Sequence, residues 1–316
     1  MVGMRSFLIF SLLNLLTAVI LAPFYISLIK KVKARAQRRK GPSIWQSYYN
    51  LLKLFRKEVV YSSNSSWIMR VSPYLNIICL LTAILFVPLI FIPETIGGFG
   101  NIILFLYILA LAKFFMALAG LDAGSTFGGM GSSREMTVSS IIEPVAIIVF
   151  AALAFVFHSS NFFDIFTAIS SSNPFLMKPS LLLLGISLFI VLITETARVP
   201  VDNPETHLEL TMIHEAMILE QSGRNLALME ISSAIKQLLF MGILINLFFP
   251  FGLSATLSIA SIALAIVLFV LKSTILAVFI GLFESYLAKL RLFRLPSLFL
   301  IAFFLSLLTI LLEVLA

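Results

Sequence analysis

Residues 102–121 read IILFLYILALAKFFMALAGL, framed by Asn101 and Asp122 and interrupted by a single charge, Lys113. As a helix rising about 1.5 Å per residue, such a run reaches about 30 Å, the thickness of a bilayer's hydrocarbon core. Comparable runs lie at 7–29, 71–92, 136–158, 181–199, 228–250, 256–281 and 296–315, which predicts about eight spans. Composition agrees: of 316 residues 60% are apolar and 12% charged, too little polar surface to cover a water-soluble globule. The expected fold is an all-α integral membrane protein, with residues 1–316 forming one membrane domain without repeats or low-complexity tracts. The first run is long enough to span and is followed by a strongly basic stop, so it reads as a transmembrane helix rather than a cleaved signal.

All but five of the 22 lysines and arginines fall in alternate loops. The loop at 30–70 is strongly basic and includes Arg38 and Arg39; later loops on the same side add Arg134, then Arg198 and Arg224, then Lys289, Arg291 and Arg294. The opposite side holds Arg5 and Lys178, while Lys113, Lys236 and Lys272 lie inside spans. This asymmetry predicts a multi-pass protein with both termini outside; the membrane is expected to be a prokaryotic cell membrane. It also accounts for the net charge of +7 without any nucleic-acid partner. Within 30–70, Ile44, Trp45, Tyr48, Leu51, Leu52 and Phe55 recur at helical spacing against Gln46, Ser47, Asn50, Lys53 and Lys57. That pattern is an amphipathic helix lying in the interface, either as a lipid anchor or as a platform for a peripheral partner.

The loop at 198–227 is acidic. Asn203-Pro204-Glu205 has the cap, the first-turn proline and the acid of a helix start, and Glu205, Glu209, Glu215 and Glu220 then alternate with apolar residues. Asp202, Glu205 and Glu209 would be unremarkable as a solvated loop, but beside a polar chamber they become candidates for coupling. Glu195 and Arg198, three apart, are spaced to pair on one helix.

The single cysteine, Cys79, excludes a thiolate-held iron–sulfur cluster or zinc site in this chain, and His158, His207 and His214 are too scattered for a haem or metal centre. No catalytic residue and no metal ligand is therefore expected, and any electron chemistry belongs to partners. An ionisable group inside a bilayer costs about 2.5–3.5 kcal/mol on insertion scales, so such groups are functional candidates. They are Lys113, Glu143, Glu195, Glu230, Lys236 and Lys272, with Glu284 just beyond the seventh span. Counted from the basic ends they fall in the inner half, within about 15 Å at helical rise, which predicts a polar chamber opening on the basic side. Pro144 follows Glu143 and frees a backbone carbonyl there. Near Lys113, Glu143 is either a titrating carboxylate or half of a static pair. The glycine-rich stretch 120–135 lacks the Lys-Ser/Thr ending of a phosphate loop and reads as a close-packed inner loop placing Asp122, Arg134 and Glu135 near the chamber mouth.

Glu195–Leu210, ETARVPVDNPETHLEL, with Glu220-Gln-Ser222-Gly223, resembles the loop between the fifth and sixth spans of the complex I membrane subunit beside the quinone chamber (the respiratory chain subunit 1 type). Arg39-Lys-Gly41-Pro42 and Gly131-Ser-Ser-Arg134-Glu135 resemble further signatures of that family, and the resemblance covers nearly the whole chain. Thr206–Glu220, THLELTMIHEAMILE, is similar to the branch found in energy-converting membrane-bound hydrogenases, formate hydrogenlyases and archaeal sulfane sulfur reductase complexes. The acidic loop is longer than the quinone-type pattern, and Gln221 stands where that pattern has an aromatic residue, so no tightly held quinone is expected. The resemblance implies an anchoring and coupling subunit with no cofactor of its own. Its implied partners are peripheral iron–sulfur and large catalytic subunits, carrying iron–sulfur clusters and a nickel–iron or related site, antiporter-like membrane subunits, and lipid. The coupling set is then Lys113, Glu143, Glu195, Asp202, Glu205, Glu209, Glu220, Glu230, Lys236 and Lys272, with Arg38, Arg39, Arg134 and Arg198 as docking cations. A stand-alone secondary cation transporter using the same carboxylates is the other reading, but the inverted repeats and paired broken helices common in such proteins are not found in the sequence.

Overall fold

The computed structural model describes residues 2–93, 99–171, 179–203, 212–253 and 258–315, with side chains from Ser6 onward except that of Ser171. The described helices are α1 (Val2–Ala36), α2 (Gln46–Phe55), α3 (Trp67–Leu85), α4 (Ile102–Asp122), α5 (Thr126–Val156), α6 (Phe162–Ser171), α7 (Pro179–Glu195), α8 (His214–Ile218), α9 (Gly223–Phe248), α10 (Ile259–Tyr286) and α11 (Leu295–Leu315). Among the described residues seven helices are long and apolar enough to cross a membrane, and α7, with 17 residues, is a shorter apolar helix. These eight correspond to the runs read from the sequence. Successive spans run in opposite directions, so one end of the bundle gathers α2, α8 and the starts of α3, α5, α9 and α11. Polar side chains fix those starts: Ser66 Oγ accepts from Ile68 N at 3.2 Å, and Asp122, ending α4, accepts from Ser66 N and Met69 N at 2.9 and 3.0 Å.

The most enclosed span is α9, which packs against α1, α2, α3, α7 and α10. Its start explains the Ser222-Gly223 pair. Gly223 has a φ of +52°, and a Cβ there would collide with the Glu58 carbonyl, while Ser222 Oγ bonds both Val60 N (2.8 Å) and Val60 O (2.9 Å). The amphipathic helix forms as expected in α2. Leu51 is buried, Trp45, Tyr49, Leu52 and Phe55 are exposed, and Ser47 N donates to Ser27 Oγ on α1 at 3.0 Å.

Three expectations are corrected. The glycine-rich stretch is helical from Thr126, forming the first turns of α5, where Gly128 and Gly131 serve helix packing. A Cβ at Gly131 would stand 2.8 Å from Ala216 Cβ and 3.0 Å from Ile213 O, so the glycine lets α8 lie directly on α5. The second span stops at Leu85, not near residue 92, and Phe86–Ile92 is irregular yet buried. Pro88 disfavours helix before it and cannot donate. In lipid the freed carbonyls need partners. Asn14 Nδ2 donates to Val87 O (2.8 Å), and Asn246 Nδ2 donates to both Pro88 O and Leu89 O (3.0 Å each). Finally, Lys272 is not at the depth of the other charges. Its ammonium donates to Phe249 O (2.7 Å) and Phe251 O (2.8 Å), closing the C-terminal end of α9 away from α2, where a cation suits the helix dipole.

One helix, α6, was not expected. At ten residues it falls below spanning length, and it sits at the end away from α2, with Phe162, Phe163, Ile165, Phe166 and Ile169 buried. Reciprocal bonds from Ile102 N to Ser160 O and from Phe162 N to Gly100 O, both 2.9 Å, tie it to the start of α4.

Replacing Asn246 with leucine keeps the branched shape of the side chain but strands two buried carbonyls, a loss of about 1–3 kcal/mol for each unpaired polar group. The purified variant should melt at lower temperature in detergent; an unchanged melting temperature would show that the irregular segment needs no cap.

Candidate functional site

Four charged side chains from four helices meet inside the bundle. Lys113 of α4 lies 2.8 Å from Glu195 Oε1 at the end of α7 and 3.7 Å from Glu143 Oε1 on α5, and Lys236 of α9 lies 2.6 Å from Glu195 Oε2. The order Glu143, Lys113, Glu195, Lys236 alternates in sign, so each charge has an opposite neighbour and the row is neutral. Glu195 stands at a helix C-terminus, where the dipole disfavours a carboxylate. Two ammonium groups offset that, and the Lys113 and Glu195 side chains are each 6% exposed. Glu143 is 42% exposed at the other end of the row. The expected Lys113–Glu143 contact is thus the longer of two, because Lys113 holds Glu195 more closely.

Cavities lie on both sides of the row. A chamber of about 340 Å³ opens between α1, α2, α8 and α9, lined among others by Lys30, Asn50, Asp202, His214, Glu230 and Ser233. A void of about 20 Å³, room for about one water, separates it from the row and is lined by Asn76, Lys113, Glu195, His214, Ser233 and Lys236. Beyond the row, a groove of about 310 Å³ between α4 and α5 is mainly apolar except for Lys113, Glu143 and Glu195 at its floor.

A second network holds the chamber wall in place. Glu284 of α10, buried, lies 3.5 Å from Lys33 and 3.3 Å from Arg198, and Arg198 also bonds Gln237. Asp202 lies 2.6 Å from Lys289 and accepts from His214 N at 3.0 Å and Ile213 N at 3.2 Å. Leu290 N donates to Pro200 O (2.8 Å) and Arg134 to Met212 O (3.0 Å). Both described ends of the loop after α7 are therefore strapped to neighbouring helices.

This geometry sorts the expected residues. Arg198 is 4% exposed and pairs with Glu284 instead of Glu195, since α7 ends at Glu195 and the chain turns away, with Ala197 at a φ of +50°. Arg134 is half-buried, whereas Arg38 and Arg39, just past α1, are exposed. Asp202 is buried, Glu230 opens into the chamber, and Glu220 is exposed at the α2 end. Glu205, Glu209 and His207 lie outside the described residues. Among those described, no group of three or more His, Cys, Asp or Glu could hold a metal ion. Sequence reasoning missed the pairing of Lys33 with Glu284 and of Lys289 with Asp202. The signal for the first was an isolated acid at the inner end of an apolar span, which needs a cation from elsewhere.

Glu284→Gln would leave Lys33 and Arg198 facing each other without their anion. Breaking a buried pair in this way costs about 3–5 kcal/mol. The yield of folded, detergent-stable protein should drop, and adding Lys33→Met should recover part of it; equal yields for wild type and Glu284→Gln would remove the network from the account of stability.

A family model described as NADH dehydrogenase matches residues 9–314. Hydrogenase-4 component C of Escherichia coli is 32% identical over 283 residues, 89% of this chain and 88% of that protein. Formate hydrogenlyase subunit 4 of the same organism is 29% identical over 284 residues, 90% of this chain and 91% of that protein. A subunit of the NADH-quinone oxidoreductase of Wolbachia pipientis is 27% identical over 220 residues, covering 63% of this chain and 64% of that protein. The fold matches a chain in the structure of the membrane-bound sulfane sulfur reductase, an archaeal respiratory membrane complex, with a TM-score of 0.80 over 97% of this chain and 99% of that one, at 19% identity. With a match running almost from end to end, this multi-pass membrane chain belongs to the NADH dehydrogenase family, in the complex I subunit 1 type, and it aligns more fully with the hydrogenase-4 and formate hydrogenlyase proteins than with the quinone oxidoreductase subunit.

Proposed function

We propose that this chain is the membrane anchoring and coupling subunit of a multi-subunit respiratory oxidoreductase of the membrane-bound hydrogenase or sulfane sulfur reductase type. It links redox chemistry in a peripheral iron–sulfur arm to proton or sodium translocation in antiporter-like membrane subunits. The names and coverage of its relatives support the class of complex. The observation that carries the coupling role is the neutral row from Lys236 to Glu143 between a polar chamber and a lateral groove.

A row of this kind transmits charge because its members are already paired. A proton arriving near Lys236 adds positive charge at one end, which draws Glu195 toward that end and loosens its hold on Lys113. Lys113 then turns to Glu143, and the change in charge balance is passed on to the groove. The half-exposed carboxylate would be costly against lipid, so a neighbouring membrane subunit over the groove fits its position. At the α2 end, Arg38, Arg39, Glu220 and the interfacial helix form the face on the cytoplasmic side that receives the arm. Iron–sulfur clusters and a nickel–iron or related centre reside in those partners. The chamber's Lys30, Asp202, Glu215 and Glu230 make a charged lining ill-suited to an apolar ring and tail, and purified complex should contain no stoichiometric quinone.

Glu143→Gln keeps shape and hydrogen bonding but removes charge. In vesicles bearing the assembled complex, the ratio of ions moved to electrons transferred should fall by at least about tenfold. Full assembly with an unchanged ratio would remove Glu143 from the coupling path. Charge reversal at Arg38 and Arg39 should release the peripheral arm more readily as salt rises, read by co-purification across ionic strength, because exposed pairs are screened over about 10 Å at 0.1 M. Retention equal to wild type at every salt concentration would move the docking face elsewhere.

A further inference from the structure

Among the described residues, only His214, Met229 and Ser233 line both the chamber and the small void beside the row. Of the three, only His214 carries an imidazole, whose two nitrogens can accept and donate protons in turn. We infer that His214 is the gate through which protons pass from the chamber to the charged row, an inference that rests on the coupling reading above.

The surroundings suit that task. His214 begins α8, whose position is fixed by the bond from His214 N to Asp202 and by the close seat of Ala216 on Gly131, so the ring is held at the junction by its backbone. The charged groups around the two voids are Glu230 and Lys236 from α9, Glu195 from α7, Lys113 from α4, Lys30 from α1, Asp202 and Arg198 from the strapped loop, and Glu215 from α8 itself. An imidazole has two nitrogens, each able to donate or accept. A proton from chamber water or from Glu230 binds one nitrogen, and the imidazolium releases the other nitrogen's proton to water in the void beside Lys236 and Glu195. Rotation of the ring or a return exchange of tautomer resets it, and one proton has moved with no other change in bonding. The void holds about one water and is flanked by two ammonium groups, Lys113 and Lys236, so a sodium ion with its oxygen shell finds neither room nor attraction there. Only a hopping proton passes.

The test uses the assembled complex in membrane vesicles, reading protons moved per electron with a pH-sensitive dye. His214→Ala should lower the ratio at least about tenfold, added imidazole should restore it, and pyrazole, equal in size but scarcely basic, should not. His214→Gln, which fills the space without titrating, should stay as low as His214→Ala. The inference is overturned by an unchanged ratio in His214→Ala, by a normal ratio in His214→Gln, by equal rescue with pyrazole, or by no rescue with imidazole. Glu195→Gln runs alongside. If it alone loses the ratio, the gate is wrong and the coupling row stands; if it keeps the ratio as well, the coupling reading itself fails.

Discussion

The contact between Lys113 and Glu195, 82 residues apart in sequence, is the interaction around which this protein is arranged. Neither charge could be carried into a bilayer alone, and together they oblige α4 and α7 to meet at a fixed depth. Lys236 then draws α9 to the same point, and Glu143 brings α5. Replacing the whole set by leucine would leave a bundle free to pack in several ways, because lipid tails and apolar side chains attract each other no less than helices do. The charges supply the specificity that apolar surface cannot.

A second constraint acts on the backbone. Where a helix breaks inside the membrane the freed carbonyls must be met by protein, and this chain meets them with amides and an ammonium from other helices. Asn14, Asn246 and Lys272 close the ends of α3 and α9 on the side away from α2. At the other end the same need is met by acids and cations at the loop after α7. The molecule is therefore pinned near both surfaces by polar contacts and filled between them by aliphatic and phenylalanine packing.

Much of this was legible in the sequence. Apolar runs of spanning length gave the helices, since burial in lipid requires hydrophobicity over a set distance, and Trp45, Tyr48 and Leu51 at helical spacing revealed the interfacial helix. The charged residues could be named, because a lysine at 113 or a glutamate at 195 stands out against its neighbours. Their partners could be named only in part: Lys113 with Glu143 was foreseen, Lys113 and Lys236 with Glu195 were not. Whether Lys113 meets Glu143 or Glu195 depends on how α4, α5 and α7 rotate about their axes, and spacing along one chain carries no record of that. Depth was misjudged for Lys272 because a four-carbon side chain moves its charge by more than a helical turn. The glycines of 120–135 read as a loop by composition, whereas Gly120, Gly128 and Gly131 mark close helix contacts, a distinction visible only once the helices are packed.

Each bridge in the row joins two different helices, so the line of charges passes from α9 through α7 and α4 to α5. A full crossing of the membrane against 100 mV requires about 2.3 kcal/mol per elementary charge, whereas a sideways step crosses little of that voltage drop. If the row carries charge as proposed, the part of each step that runs sideways from helix to helix is unopposed by the membrane potential, and only its component along the bundle does electrical work.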